Sequence, residues 1–395
     1  MNFNQWTKDL KDKREAYGGS QAILADNVGI SRKHYNQIEN GKANASDNLQ
    51  WLIMKALERL NPDCPLTFIF DYVRVRFPTL DVAYIVEAIL QMKMCHMGHE
   101  DFGFYSYSEH YRHGEVFVLA SPDEDKGVLV ELKGQGCRQF ESYLNAQRRS
   151  WYDFFIACIG TGGVFKRIDL AINDTVGILD IPTLAEKCAR KECVSLFRSF
   201  EFLQKGELSR EEKEGMGTTL YLGSKKSDIY FCIYEKDWEQ FQKFGTPLED
   251  TETKNRFEIR LKNDRAYHAI NDLICNESPE TTAFGIINHY ACFLDDDGTE
   301  SCEDWPINKE WELFLGNCSN SLKLTTKPEP YSLLRTKNWM GRQVAASIKM
   351  LQMIDEKNGT DEMKRILEGA GLSEKHLKIV AQATAPIEDV IVMPG

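Results

Sequence analysis

No stretch of the chain approaches the roughly 20 consecutive apolar residues that a membrane helix needs, and no apolar core follows the opening MNFNQWTKDLKDKREAY. The first absence excludes a bilayer span and the second a secretory signal, so a cytoplasmic location is expected. Eleven cysteines include no CxxC pair and no Cys/His cluster at zinc-ligand spacing. That excludes the common zinc folds and leaves reduced core thiols as the expected use. Tandem repeats and low-complexity tracts are also missing, which removes repeat architectures.

An excess of positive charge is missing too. The formal net charge is -12, against the lysines and arginines that phosphate contacts require. Residues 1–60, however, hold nine Lys/Arg against seven Asp/Glu, so the acidity belongs to the remainder. Stretches such as FLDDDGTESCEDWP and GTPLEDTET read as solvated loops, and carboxylates gathered for a metal ion add negative charge that the ion offsets. Global charge therefore excludes neither a nucleic-acid binder nor a metal enzyme.

At 395 residues the chain is long enough for two or three domains. Residues 1–62 are expected to form an all-α domain, because apolar residues recur at helical spacing in AILADNVGI and NLQWLIMKAL. Asn61-Pro62-Asp63-Cys64-Pro65 breaks that pattern as a linker. From 66 to 330, FIFDYVRVRFP, FKRIDLAIND and NRFEIRLKN read as strands, and EVFVLAS with GVLVELKG and TTLYLGS with SDIYFCIYEK as hairpins. FESYLNAQ, IPTLAEKCARK, AYHAINDLICN and TTAFGIINHYACFL read as covering helices. The expected fold class is α+β with a mixed, mainly antiparallel sheet. After Pro328 and Pro330, residues 331–395 turn helical and form a carboxy-terminal appendage.

The strongest local pattern is SQAILADNVGISRKHYNQIENGK. Ala25 suits the close approach of two helices, Gly29 the turn, and Ser31 the cap of the helix that follows. Val28, Ile30 and Ile38 would face a small core. Gln21, Ser31, Arg32, Lys33, Tyr35, Asn36 and Gln37 are then candidates for contact with phosphates and base edges. The segment resembles the helix-turn-helix of phage repressors. Such a motif alone does not separate a regulator from a DNA-processing enzyme.

Strand periodicity gathers a second set. In FKRIDLAIND, Arg167 and Asp169 share a face opposite Ile168, Leu170 and Ile172. In NRFEIRLKN, Arg256, Glu258 and Arg260 share a face opposite Phe257, Ile259 and Leu261. Tyr230, Cys232, Tyr234 and Lys236 share a third face if the strand SDIYFCIYEKD runs to its end. A phenol of pKa near 10 is a poor nucleophile at neutral pH unless a cation or a metal-polarised phosphate assists it. Lys236 offers a cation, and two carboxylates offer hard oxygen ligands for Mg2+ or Mn2+.

Together FDYVRVRFPT, ELKGQGCRQFE, FKRIDLAIND, LYLGSKKSDIYFCIYEK and NRFEIRLKN resemble, in order, the Rep_trans (replication initiation factor) family over residues 66–330. That family includes plasmid rolling-circle initiators and relaxases of Gram-positive integrative conjugative elements. The resemblance implies strand-specific nicking through a tyrosine joined to the 5′ phosphate, helped by a divalent metal. It makes Tyr234 the nucleophile, with Tyr230 on the same face as the alternative. Asp169 and Glu258 become the preferred metal ligands, ahead of Glu235, while Lys236, Arg167 and Arg260 steady phosphate charge. His110 and His113 lack the spacing of the paired-histidine motif of the other large relaxase group, and ELKGQGCRQFE reads as a strand-to-helix turn.

An added repressor-like domain is more similar to a conjugative relaxase acting at an origin of transfer than to a compact plasmid initiator. Implied partners are duplex and single-stranded origin DNA, and possible proteins are a helicase, a coupling protein or an accessory DNA-binding protein. Three other readings stay open: a replication initiator with the same chemistry, a metal-dependent nuclease using activated water, and a non-enzymatic helix-turn-helix regulator.

Overall fold

The computed structural model describes residues 3–17, 19–28, 30–46, 49–50, 53–54, 56–57, 66–204, 217–299, 305–316, 323–324 and 340–392. Gly29, the linker Asn61 to Pro65, and Pro328 and Pro330 lie outside them, with the expectations attached to each. The chain divides into two compact units, residues 1–70 with 167–325 and residues 71–166 with 326–395.

The first unit begins with α1 (Phe3–Ala16), α2 (Gln21–Asn27) and α3 (Arg32–Glu39). Leu10, Leu24, Ala25, Val28, Tyr35 and Ile38 are buried and form the small core. Ser31 caps α3 by accepting from the His34 N–H at 3.2 Å, as its residue type favours. Ile30 is only half-buried. The charged end of α3 turns inward: Glu39 is 4% exposed and accepts from Arg14 Nε at 2.6 Å and Gln21 Nε2 at 2.5 Å. Glu39 thus ties α1 and α2 to α3. Removing one partner of a buried charged bond leaves the other unpaired, so Glu39→Ala should lower the stability of the first unit by about 3 kcal/mol. A lower thermal midpoint would register it, and an unchanged midpoint would refute the tie.

Strand β1 (Leu66–Phe77) gives its first five residues to the first unit and the rest to the second. In the second unit β2 (Gly98–Glu100), β3 (Glu109–His113), β4 (Val116–Ala120) and β5 (Val128–Lys133) follow, and the antiparallel order is β2-β3-β4-β5-β1. Val73, Val75, Val118, Val130 and Leu132 point to one face. Against it lie α4 (Gln135–Ala146) and α5 (Trp151–Gly160), with Phe140, Trp151, Phe154 and Phe155 buried and in edge or tilted ring contacts. The GQG turn does the work of entering α4. Gly134 has φ 50°, and a Cβ on Gly136 would lie 2.3 Å from the Glu115 carbonyl oxygen. Gly136→Ala should therefore destabilise the protein by about 2 kcal/mol, a backbone clash that cannot relax by rotamer change. A shift in the denaturant midpoint would measure it, and none would mean that the backbone yields freely.

His110 and His113 are packed inside this unit. His110 and His113 are 2% and 1% exposed, and their Nδ1 atoms bond the Phe102 and His96 carbonyls. The expected helix at LDVAYIVEAILQM appears as a helical turn, Val82–Tyr84, continuing into a π-helix, Ile85–Ile89.

The first unit resumes with β6 (Val164–Asp174), α6 (Ile181–Ala189), β7 (Cys193–Ser195), β8 (Phe200–Gln204), β9 (Thr218–Leu222) and β10 (Ile229–Glu235). Next come α7 (Lys236–Phe244), β11 (Asn255–Lys262), α8 (Asn263–Asn276), α9 (Pro279–Tyr290), β12 (Ala291–Phe293), α10 (Lys309–Leu315) and β13 (Lys323–Leu324). The antiparallel order here is β6-β11-β10-β9-β8. Ile168, Leu170, Ile172, Phe231, Ile233, Phe257 and Ile259 form its buried face. Trp311 and Phe314 of α10 lie against Phe257, at ring separations of 6.1 and 5.6 Å. One boundary differs from expectation: TTAFGIINHYACFL is helical only to Tyr290, and its ACF forms β12 on β7.

The carboxy-terminal residues carry α11 (Ala345–Asn358), α12 (Glu362–Glu368) and α13 (Glu374–Thr384). Their end joins the second unit, where the Lys93 N–H donates to the Val390 carbonyl at 2.8 Å and Ile391 bridges Met92. Among the described residues no helix is long and apolar enough to cross a membrane, and the eight described cysteines are unbridged.

Candidate active site

Antiparallel pairing converts the alternating sequence pattern into rows across the open face of the first unit's sheet. Arg260 stands opposite Asp169 on one side and Tyr230 on the other. Glu258 stands opposite Ala171 and Cys232, and Arg256 opposite Asn173 and Tyr234. Directly paired residues bring their Cβ atoms to about 4.5–5.5 Å. The small Ala171 and Cys232 leave the middle row open around Glu258, so neighbours from the flanking rows can reach its carboxylate.

They do reach it. The Tyr234 hydroxyl donates to Glu258 Oε1 at 2.8 Å, and Arg260 Nε donates to Oε2 at 2.8 Å. The same Nε lies 3.7 Å from Asp169 Oδ2, and an Arg260 Nη donates to the Tyr230 hydroxyl at 3.3 Å. Arg167 grips Asp169 with two bonds of 2.8 and 2.6 Å. Asp169 and Glu258 are each 2% exposed. Five predicted residues, Arg167, Asp169, Tyr234, Glu258 and Arg260, thus form one linked polar cluster. Tyr230 sits at its edge, bonded to Arg260 and not to a carboxylate.

The electrostatics follow from burial. Desolvation pushes the Asp169 carboxyl up to about 6, against Arg167, which pulls it down, while the neighbouring Glu258 charge adds to the rise. Burial opposes the charge of Arg260, but Glu258, Cys232, Tyr230 and Asp169 together raise it above its ordinary value. The Cys232 thiol is pushed up to about 12 by burial and by Glu258, and therefore remains protonated. Burial raises the Tyr221 phenol to about 12.

Lys236 requires a correction. The strand ends at Glu235, and Lys236 opens α7 instead of continuing the face of Tyr234. Its ammonium pairs with Glu239 and lies 5.5 Å from the centroid of the Tyr234 ring. It remains near the phenol, but over its ring and held by a carboxylate. Glu235 accepts from the Thr218 backbone N–H at 2.5 Å, and burial raises its carboxyl.

Tyr35 requires another. It was expected on the exposed side of α3, yet it is fully buried, and burial raises its phenol well above the ordinary value. The helical spacing places it one turn before Glu39, on the inward stripe. Arg32, Lys33 and Asn36 are exposed, as is the cap Ser31. Asn36 donates to Gln21 Oε1 at 3.0 Å, so these two predicted contacts form one polar pair.

Sequence reasoning gave no role to Asn173 or Arg256. The structure joins them, with Arg256 Nε donating to Asn173 Oδ1 at 2.7 Å and Asn173 Nδ2 to Thr67 Oγ1 at 3.3 Å. Extending the period-two reading of FKRIDLAIND by one step would have placed Asn173 on the polar face. Among the described residues no group of three or more His, Cys, Asp or Glu is arranged to hold a metal ion. Asp169 and Glu258 supply two hard carboxylates on adjacent strands.

Residues 163–367 match the family model described as Replication initiation factor (Rep_trans). Residues 67–157 match the Rolling Circle replication initiation protein N-terminal domain, and residues 10–63 a helix-turn-helix. The protein is 39% identical over 333 residues to the Bacillus subtilis (strain 168) protein described as "Putative DNA relaxase NicK", covering 84% of this chain and 93% of that one. It is also similar to the solved structure of a rolling circle replication initiator protein from Geobacillus stearothermophilus. That likeness has a TM-score of 0.56 and 25% identity, over 66% of this chain and 99% of the other.

Proposed function

Given that the chain belongs to the replication initiation factor family, we propose that it nicks and rejoins one DNA strand at an origin of transfer through a covalent link between Tyr234 and the 5′ phosphate. DNA nicking is the activity that the family and both relatives support. The observation that carries the tyrosine is its 2.8 Å hydrogen bond to the buried carboxylate of Glu258.

In that arrangement the phenol oxygen attacks phosphorus while the bond from phosphorus to the 3′ oxygen breaks. The phenol proton moves toward Glu258, and the departing 3′ oxygen gains a proton to become the 3′ hydroxyl. The hydrogen bond lets Glu258 take the phenol proton as the new oxygen–phosphorus bond forms. Rejoining is the reverse displacement.

The donor set fits an ion held by one or two carboxylates and completed by phosphate oxygens and water, the usual manner of magnesium. It does not fit a cage built by the described residues alone. Asp169 and Glu258 would hold Mg2+ or Mn2+, which supplies a Lewis acid for the scissile phosphate. Arg167 and Arg260, which bind these carboxylates, compensate the charge of the pair.

Residues 1–62 form, in this reading, a duplex-gripping module of a catalytic region spanning 66–330, with Arg32, Lys33, Asn36, Gln21 and Ser31 at the DNA. The remaining residues, 331–395, form a helical appendage. The protein works in the cytoplasm, and separating the nicked strands falls to a helicase, with a coupling or accessory DNA-binding protein joining the complex. Identity of 39% over 84% of this chain for the relaxase, against 25% over 66% for the initiator, favours an origin of transfer over a replication origin.

Incubating the protein with a labelled single-stranded origin fragment and manganese should yield a protein–DNA adduct on a denaturing gel, and a chelator should prevent it. Cutting without an adduct would move the reading to hydrolysis by activated water. Neither cutting nor adduct on a fragment that binds would favour a non-enzymatic regulator. Deletion of residues 1–62 should weaken duplex-origin binding about tenfold or more by removing basic contacts, with single-strand cutting changed less than about threefold. Equal losses in both would refute the division of labour.

A further inference from the structure

The arginines beside the two central carboxylates are held by them, Arg167 by Asp169 and Arg260 by Glu258. Farther along the same face, β11 ends in a cation with a different surrounding. Lys262 follows Arg260 by two residues and so keeps its face, and it is paired directly with Arg167 across β6 and β11. Like charges placed opposite one another destabilise a sheet. Among the described residues no carboxylate forms an ion pair with Lys262, and its ammonium donates instead to the backbone carbonyl of Lys225 at 2.6 Å. It also lies 5.1 Å from the centroid of the Tyr230 ring, with the Arg260 guanidinium at 5.6 Å from the same centroid. A carbonyl and a ring face hold a cation in place without cancelling its charge.

The bond from Lys262 also fastens the turn between β9 and β10, GSKKSD. That turn is closed by the Ser227 N–H on the Ser224 carbonyl at 2.9 Å and by the Lys226 N–H on the Ser224 hydroxyl at 3.2 Å. Lys225 is committed within it, pairing with Glu201 at 3.0 Å over the Tyr221 ring. The next residue, Lys226, is exposed, and among the described residues no carboxylate pairs with it. Two ammonium groups with their charge intact thus stand at one end of the face that carries Tyr234. Along β11 the four residues from Glu258, which holds the Tyr234 hydroxyl, to Lys262 span roughly 13 Å. A stacked strand advances about 3.4 Å per nucleotide, so the span matches about four stacked nucleotides and fewer extended ones.

We propose that Lys262 and Lys226 form a phosphate-binding subsite for the DNA strand on one side of the cut, within about four nucleotides of the scissile phosphate. This rests on the reading of Tyr234 as the nucleophile of a nicking site. A strand lying there brings the negative charge that the opposed Lys262 and Arg167 lack from their carboxylate neighbours.

The test is binding of a fluorescent single-stranded origin oligonucleotide to the full-length protein, in chelator, over a series of salt concentrations. Each phosphate neutralised on a single strand contributes about 0.7 to the slope of log affinity against log salt, so Lys226→Gln should flatten the slope by about 0.7 and the double variant with Lys262→Gln by about 1.4. Near 0.1 M salt the double variant should bind about tenfold or more weakly. Lys226→Arg with Lys262→Arg keeps both charges and should restore the slope. On an oligonucleotide trimmed back to the cut on one side, the double Gln variant and the unaltered protein should bind alike, while on one trimmed on the other side the full difference should remain.

A weaker affinity with an unchanged salt slope overturns the proposal, because lost packing and not lost charge would then explain it. A difference that survives trimming of each side in turn overturns it as well. Adduct formation with manganese, run in parallel, separates this subsite from the reading on which it rests. A flattened slope with no adduct on any oligonucleotide rejects the nicking reading and leaves the lysines no cut to flank, whereas a normal adduct with an unchanged slope rejects the subsite alone.

Discussion

Tyr234→Phe is expected to abolish the covalent adduct, lowering its rate by at least about a thousandfold, while Tyr230→Phe retains most of it. Both phenols occupy one face of β10, and periodicity alone ranks them equally. Their partners separate them. The Tyr234 hydroxyl donates to the Glu258 carboxylate, a group able to take a proton, whereas the Tyr230 hydroxyl accepts from the Arg260 guanidinium, which cannot. Phenylalanine keeps the ring and its packing but has no oxygen to join to phosphorus. Adduct yield on labelled single strand measures both variants, with binding affinity as the check on folding. Loss in Tyr230→Phe with retention in Tyr234→Phe would transfer the nucleophile to the other end of the Arg260 bridge. Glu258 would then need another explanation.

The strands that position this cluster were legible because each alternates strictly: Ile168, Leu170 and Ile172 against Arg167 and Asp169, and Phe257, Ile259 and Leu261 against Arg256, Glu258 and Arg260. A buried apolar face on one side leaves no second register. Where alternation stopped, so did legibility. Lys236 continued the parity of Tyr234 on paper, but the run KDWEQFQKF favours a helix, and α7 starts there. Tyr35 looked like a groove-facing residue by type, yet its position one turn before the buried Glu39 puts it in the core. Short strands such as β7 and β12 carry too few residues for a period to show. The bond between Tyr234 and Glu258 depends on register between separate strands, which no single segment encodes.

Acid should stop the reaction while steadying the fold, and the same carboxylate causes both. Asp169 is raised to about 6 by burial, above the roughly 3.9 of an exposed aspartate. Between those two values the folded state binds a proton that the unfolded state releases, so stability falls as pH rises across the window. Across the whole window the change is roughly 3 kcal/mol, of which about half is readable as a higher thermal midpoint near pH 5 than near pH 7 when a chelator is present. Asp169→Asn should lessen that slope, since an amide carries no proton to lose. Nicking should run the other way. A metal competes with the proton for Asp169, so the rate should fall below about pH 6, and more manganese should move that fall to lower pH. Asp169→Asn should reduce adduct formation by about a thousandfold at every pH. A wild-type rate that stays flat from pH 5 to 7.5 at limiting manganese would mean that no proton competes at this carboxylate, and an acid limb indifferent to manganese would remove Asp169 from the metal site.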